Sequence, residues 1–251
     1  MTLGATLEIF TKFGLSGLSR WGHVLAGITW IGLLYYFNFV QVPAFAEMDP
    51  AARANAMDKL AWRALWWFRW SSVLTVLTGL MILGFNEQFK NSYFKTAPGI
   101  SIATGILLAL TMFGNVWSII WPKQRIVIGN ARTTAAGGAA DPDAPAAGRR
   151  ALLASRMNVI FSIPMLFFMV GTSHFFVAAH FKFQPSGSDR AVYWIIVLVT
   201  WLAFELDAVG VIGGTGPGPL KWPYETHRNA IISGFVLAVV YYALWEIVFR
   251  V

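Results

Sequence analysis

Cysteine is absent from the 251 residues. That excludes disulfides, iron–sulfur clusters, thiolate zinc sites and covalent haem attachment through CxxCH. Any cofactor must therefore be held by His, Met, Tyr or carboxylates. Charge is also scarce, at 12% of residues, against about 25% in a soluble domain. Hydrophobic residues make up 57% of the chain and the mean hydropathy is +0.58. A water-soluble globule of this size has no interior large enough to hide so much apolar surface.

The apolar residues gather into six runs, at about 18–42, 68–86, 97–121, 157–181, 191–212 and 229–249. Each is near the roughly 20 residues that a helix needs to cross about 30 Å of hydrocarbon. The expected fold is an all-α integral membrane protein of six transmembrane helices, forming a single membrane domain. The first run is too long for the core of a cleavable leader and reads as a retained span. Pro43, Pro98, Pro122, Pro185 and Pro223 mark span ends.

Residues 1–17 set Leu7, Ile9, Phe10 and Phe13 against Glu8 and Lys12, the pattern of a segment lying along the membrane surface. Between the first two spans, Asp49 and Pro50 form an N-cap and first-turn proline. They open an interfacial amphipathic helix in which Arg53, Lys59 and Arg63 alternate with Leu60, Trp62 and Trp66. The stretch 133–148 is low in complexity and reads as a flexible inner linker without chemistry. GGTGPGP, from Gly213 to Pro219, lacks the GK[ST] of a phosphate-binding loop and reads as a turn between spans.

With the amino terminus outside, twelve of the 19 Lys and Arg residues fall on inner segments and seven on outer ones. The positive-inside bias thus puts both termini outside. The net charge of +7 sits in loops beside apolar runs, which fits lipid headgroups and excludes a nucleic-acid face.

Polar groups inside a bilayer are costly, so the four histidines are informative. His23 lies about a turn and a half into span one, and His174 near the outer end of span four, at similar depth. Two facing helices that each offer one imidazole can clamp a b-type haem by its iron. Gly22, Ala26 and Gly27 leave room for a flat macrocycle, with Trp30 two turns along the same stripe. His180 is the alternative ligand; in a continuous helix it is about 600° around from His174 and cannot share its face. Copper or zinc on the outer histidines is a weaker alternative to haem. Interhelical hydrogen bonding by these residues is the plainer explanation to be tested against it.

A second polar group belongs to the inner half: Asn115, Glu205, Asp207 and His227, with Asn38, Arg69 and Arg228 near the same level. Glu205 and Asp207 are about 200° apart on one helix, so at most one faces the core. Charge pairing, for instance of Arg69 with one carboxylate, competes here with a proton relay or a small polar-substrate pocket.

Three segments carry a family resemblance: RWGHVLAGITWIG (Arg20 to Gly32), NVWSIIWPKQ (Asn115 to Gln124) and SRMNVIFSIPMLFFMVGTSH (Ser155 to His174). Together they resemble the amino-terminal membrane domain of the bacterial membrane-bound urate oxidase (urate hydroxylase) family. His23, Asn115, Trp117, Pro122, Arg156, Asn158, Pro164 and His174 fall on positions similar to the family pattern. The resemblance implies a redox protein of the bacterial cytoplasmic (inner) membrane, acting in oxidation of a purine such as urate. Longer relatives carry a c-type cytochrome domain. With no CxxCH in this sequence, the expected route for electrons is a separate acceptor, such as a c-type cytochrome or another membrane-complex subunit. Two other classes stand beside this one: a non-catalytic accessory subunit of a larger membrane complex, and a metal-handling or transport protein. The missing pair of symmetric broken helices weakens the transport class.

Overall fold

The structure, a computed structural model, describes residues 7–251. Six helices are long and apolar enough to cross a membrane: α1 (Lys12–Glu47), α2 (Pro50–Phe85), α3 (Ala97–Ala135), α4 (Ala144–Gly171), α5 (Gly187–Ala208) and α6 (His227–Phe249). The chain is a multi-pass helical membrane protein, as the apolar runs indicate. Strand pairing among the described residues is confined to a single bridge between Phe181 and Arg250.

Short polar side chains set most of the helix starts. Thr11, Asp49, Thr96 and Thr226 each accept a backbone N–H from the first turn of α1, α2, α3 and α6. Ser186 and Asp189 close a reciprocal capping box on α5. The Asp49–Pro50 start is therefore as the sequence indicates, but the helix it opens does not stop at the membrane. It runs without a break into span two.

Boundaries differ from the sequence reading in three further places. Lys12 to Gly17 belong to α1, so no separate surface segment precedes the span there; residues 1–6 lie outside the described residues. The 133–148 stretch shrinks to a turn at 136–143, because its alanines are the best helix formers and extend α3 and α4 from either side. Pro43 and Pro122 lie inside continuous helices. Each follows a wider π-helical turn, at Tyr36–Gln41 and Val116–Ile120. A π turn relaxes the clash between the proline ring and the preceding turn, so the helix passes through.

At 1.5 Å per residue, α2 and α3 are each more than about 50 Å long and outrun the hydrocarbon by about 20 Å or more. Their surplus projects from the face that holds the 136–143 turn. There Trp62 packs on Trp121 (5.1 Å between ring centroids), and Arg132 ion-pairs with Asp58 while lying 4.9 Å over Trp62.

Within the bundle α4 is central. Met157, Val159, Ile160, Phe161 and Phe168 are completely buried, against α3 on one side and α6 on the other. Glycines permit this closeness. A methyl on Gly105 would sit 2.7 Å from Met169 Cγ, and one on Gly234 would sit 2.9 Å from the Ile160 carbonyl oxygen. Pro164 lacks the N–H that would bond that carbonyl, so α6 closes over the weakest point of α4. The α1–α2 hairpin packs chiefly on itself and leans against this core.

Candidate functional site

His23 is half-buried on α1 and faces α2. Its Nδ1 donates to the Thr75 carbonyl oxygen at 2.9 Å, with the Thr78 hydroxyl oxygen at 3.3 Å. Gly79 leaves the space beside the ring, since a Cβ there would lie 3.2 Å from Cε1. A carbonyl can only accept, so the proton sits on Nδ1 and the neutral ring keeps a lone pair on Nε2. Trp30 is 1% exposed, and its buried indole N–H has no partner among the described residues.

His174 has the same arrangement: its Nδ1 donates to the Val170 carbonyl oxygen at 2.9 Å. Here span four departs from expectation. The α4 helix ends at Gly171, and His174 stands exposed in the turn that follows. The turn is set by Phe176, which is fully buried, stacks on Phe168 (4.9 Å) and meets Trp245 (4.3 Å). Gly171 makes room for that ring. His180 is exposed in the same non-helical stretch, pinned by Val251 N–H donating to its carbonyl oxygen at 3.0 Å. The 600° separation of His174 from His180 thus does not apply, because no continuous α-helix joins them and only a short 3-10 turn, Phe175–Val177, lies between. Hydrogen bonds tie His23 to α2 and His174 to α4.

Each ring separately meets one requirement of an axial haem ligand. A ligating imidazole normally donates its other N–H to a carbonyl or carboxylate, fixing the tautomer, and both rings do so. Among the described residues no three His, Asp or Glu side chains gather as a bare metal ion needs.

The inner polar residues divide into separate groups. Asn115 and Glu205 do come together: Asn115 Nδ2 donates to Glu205 Oε2 (3.2 Å) and to Asn158 Oδ1 (3.0 Å), and Asn158 Nδ2 donates to the Met112 carbonyl (3.0 Å). Asp207 turns away to an ion pair with Lys221, which is 1% exposed. Lys221 also donates to the Asp207 and Ile212 carbonyls, at 2.6 and 3.2 Å, and so pins the glycine-rich turn. His227 lies against Phe39, 6.1 Å between centroids. Arg69 pairs with neither carboxylate. Its guanidinium lies over Trp121 (3.9 Å), Trp117 (5.2 Å) and Trp70 (5.3 Å).

Sequence reasoning did not single out Lys221 or Ser162, whose hydroxyl meets Tyr35 Oη at 2.9 Å, and it reached Asn158 only through the family resemblance. Lys221 carries a readable signal, a lysine in the short loop between two apolar spans, but its partner is set by the fold of the intervening turn.

Residues 86–205 match the urate oxidase N-terminal family model. This covers 120 of the 251 residues and bears out the resemblance read from the motifs. The Asn115–Gln124 and Ser155–His174 segments lie inside the urate oxidase N-terminal match, as do Asn158 and Glu205. The Arg20–Gly32 segment, with His23, lies outside it. No curated protein and no solved structure matches the chain.

Proposed function

We propose that this chain is a redox protein of the bacterial cytoplasmic membrane that holds haem b through His23 and His174. It passes electrons to a separate acceptor, a c-type cytochrome or another membrane-complex subunit, in the oxidation of a purine such as urate. The observation that carries this reading is the matched state of the two imidazoles: each commits Nδ1–H to a backbone carbonyl at 2.9 Å and leaves Nε2 free to bind iron. The urate oxidase N-terminal match over 86–205 supports the choice of substrate class. When bound, haem supplies one-electron chemistry; the chain's contribution is axial ligation, burial and access.

The side chains divide the remaining work. Thr75 and Val170 hold the ring tautomers, and Trp30 offers an uncommitted donor below His23. The Asn158–Asn115–Glu205 chain forms a polar path in the opposite half that accommodates a proton or a polar ligand group.

The test is an absorbance spectrum of detergent-purified protein, air-oxidised and then dithionite-reduced, with a pyridine haemochrome assay for stoichiometry. A reduced b-type α band that is lost in both His23→Ala and His174→Ala is expected. A featureless spectrum from folded, iron-free protein overturns the haem assignment and leaves an accessory subunit as the reading. A band that survives His174→Ala but not His180→Ala moves the second ligand to His180.

A further inference from the structure

The helices α2 and α3 form a groove that the redox reading leaves unused. One open part of it, about 430 Å³, is lined by Asp58, Lys59, Trp62, Arg63, Trp66 and Arg132. Asp58 is its single carboxylate and already pairs with both Lys59 and Arg132. Arg69 lies two turns nearer the bilayer centre than Trp62. Its guanidinium makes no ion pair or hydrogen bond among the described residues, and its buried Nε has no partner. Arg125, exposed and one turn along α3 from the Trp121 ring that Arg69 overlies, adds a second positive charge on the same side of α3. Cation therefore outweighs anion along the whole groove, on a wall of tryptophans.

The tryptophans fix the depth. Trp62, Trp66, Trp70, Trp117 and Trp121 cluster on α2 and α3 as a headgroup-level belt does. Starting at this level, Trp67, Trp70, Leu74, Leu77 and Met81 are all exposed and spaced three and four apart, forming one continuous apolar stripe that runs along α2. A positive pocket at headgroup level that leads onto an open apolar stripe matches one kind of ligand.

We propose that the α2–α3 groove is a binding site for one anionic phospholipid, its phosphate held by Arg69 and Arg125 and its acyl chain laid along the Trp67–Met81 stripe. Basic pockets between membrane helices on the positive side are suited to such headgroups. The planar guanidinium of Arg69, already stacked, presents its edge to phosphate oxygens at little further cost in order.

Native mass spectrometry of the full chain in detergent, titrated with phosphatidylglycerol and separately with phosphatidylcholine, tests the site. One phosphatidylglycerol per chain is expected to be retained in preference to phosphatidylcholine. Arg69→Gln is expected to weaken it about fivefold, and Arg69→Gln with Arg125→Gln about 25-fold. Lys90→Gln, on the far face, leaves it unchanged. Arg125 is exposed, so Arg125→Gln alone reads the site should Arg69→Gln fail to fold. Equal retention of both lipids, or unchanged phosphatidylglycerol binding in these variants, overturns the proposal. Competition by inorganic phosphate at equal concentration overturns the lipid as occupant and leaves a free-oxyanion site.

Discussion

Lys221→Met is the sharpest test of the division drawn between Asp207 and Glu205. Lys221 spends all three ammonium donors on Asp207 Oδ1, the Asp207 carbonyl and the Ile212 carbonyl, and it is 1% exposed. Methionine matches its length and removes every one of these bonds. The Asp207 carboxylate, 12% exposed, then remains buried without a counter-charge. Breaking one side of such a pair costs about 3–5 kcal/mol, chiefly as the penalty of the stranded charge. On the scale of a chain this size that is on the order of 10 °C in apparent melting temperature. The double variant Asp207→Leu with Lys221→Met strands nothing and is expected to recover most of the loss. Thermal unfolding in detergent, followed by far-UV circular dichroism, reads all three proteins. Melting of Lys221→Met together with wild type refutes the buried-pair assignment and returns Asp207 to the list of ligand-facing carboxylates.

The bidentate Arg149–Glu225 pair (2.6 and 3.1 Å) holds the Glu225 carboxyl below its ordinary range, through the Arg149 hydrogen bonds first. Its stabilisation is present above the unfolded value of about 4.3 and is lost as pH falls through the depressed one. Since the pair is partly exposed, Glu225→Gln is expected to cost no more than about 1 kcal/mol at pH 7 and to converge with wild type in melting scans carried to acid pH. Gly234→Ala forces a methyl to 2.9 Å from the Ile160 carbonyl and to 2.6 Å from Ile163 Cδ1. It is expected to destabilise by about 1–3 kcal/mol, read as a lowered midpoint in denaturing-detergent titration. Gly171→Ala displaces Phe176 and with it the turn carrying His174. A reduced haem band in that variant, with helix content unchanged, is the expected result; an unaltered band separates the Phe176 anchor from ligation.

The six spans were legible because apolar run length is a direct physical requirement of the bilayer, and Asp49 was legible because capping is local. The helix extents were not. Proline at 43 and 122 signals a break only if the turn before it is α-helical, and nothing in YFNFVQ or VWSII announces the π turn that carries the helix onward. Ala-rich 133–148 looked structureless because low complexity says nothing against helix when the repeated residue is alanine. At the site, the sequence assigns His23 and His174 a similar depth, and depth is only one coordinate of three. The pairing of Glu205 with Asn115, and of Asp207 with Lys221, depends on rotation about α5 and on the course of the thirteen residues between Asp207 and Lys221, which no short spacing encodes.

The His23 contacts and the proposed phosphate contacts rest on different turns of α2, and this makes them separable. Gly79 packs on His23, whereas Arg69 sits in the tryptophan cage ten residues earlier, about 15 Å along the helix. At that spacing, with no shared hydrogen-bond partner, the two substitutions are expected to act independently. Arg69→Gln should leave the oxidised and reduced spectra as in wild type, and His23→Ala should leave phosphatidylglycerol selectivity intact. Loss of both properties in either variant points instead to α2 moving as one body, since α1 packs chiefly against this helix. In that case occupancy of the lipid groove would set the position of the Thr75 carbonyl, and haem content would rise and fall with the anionic lipid supplied.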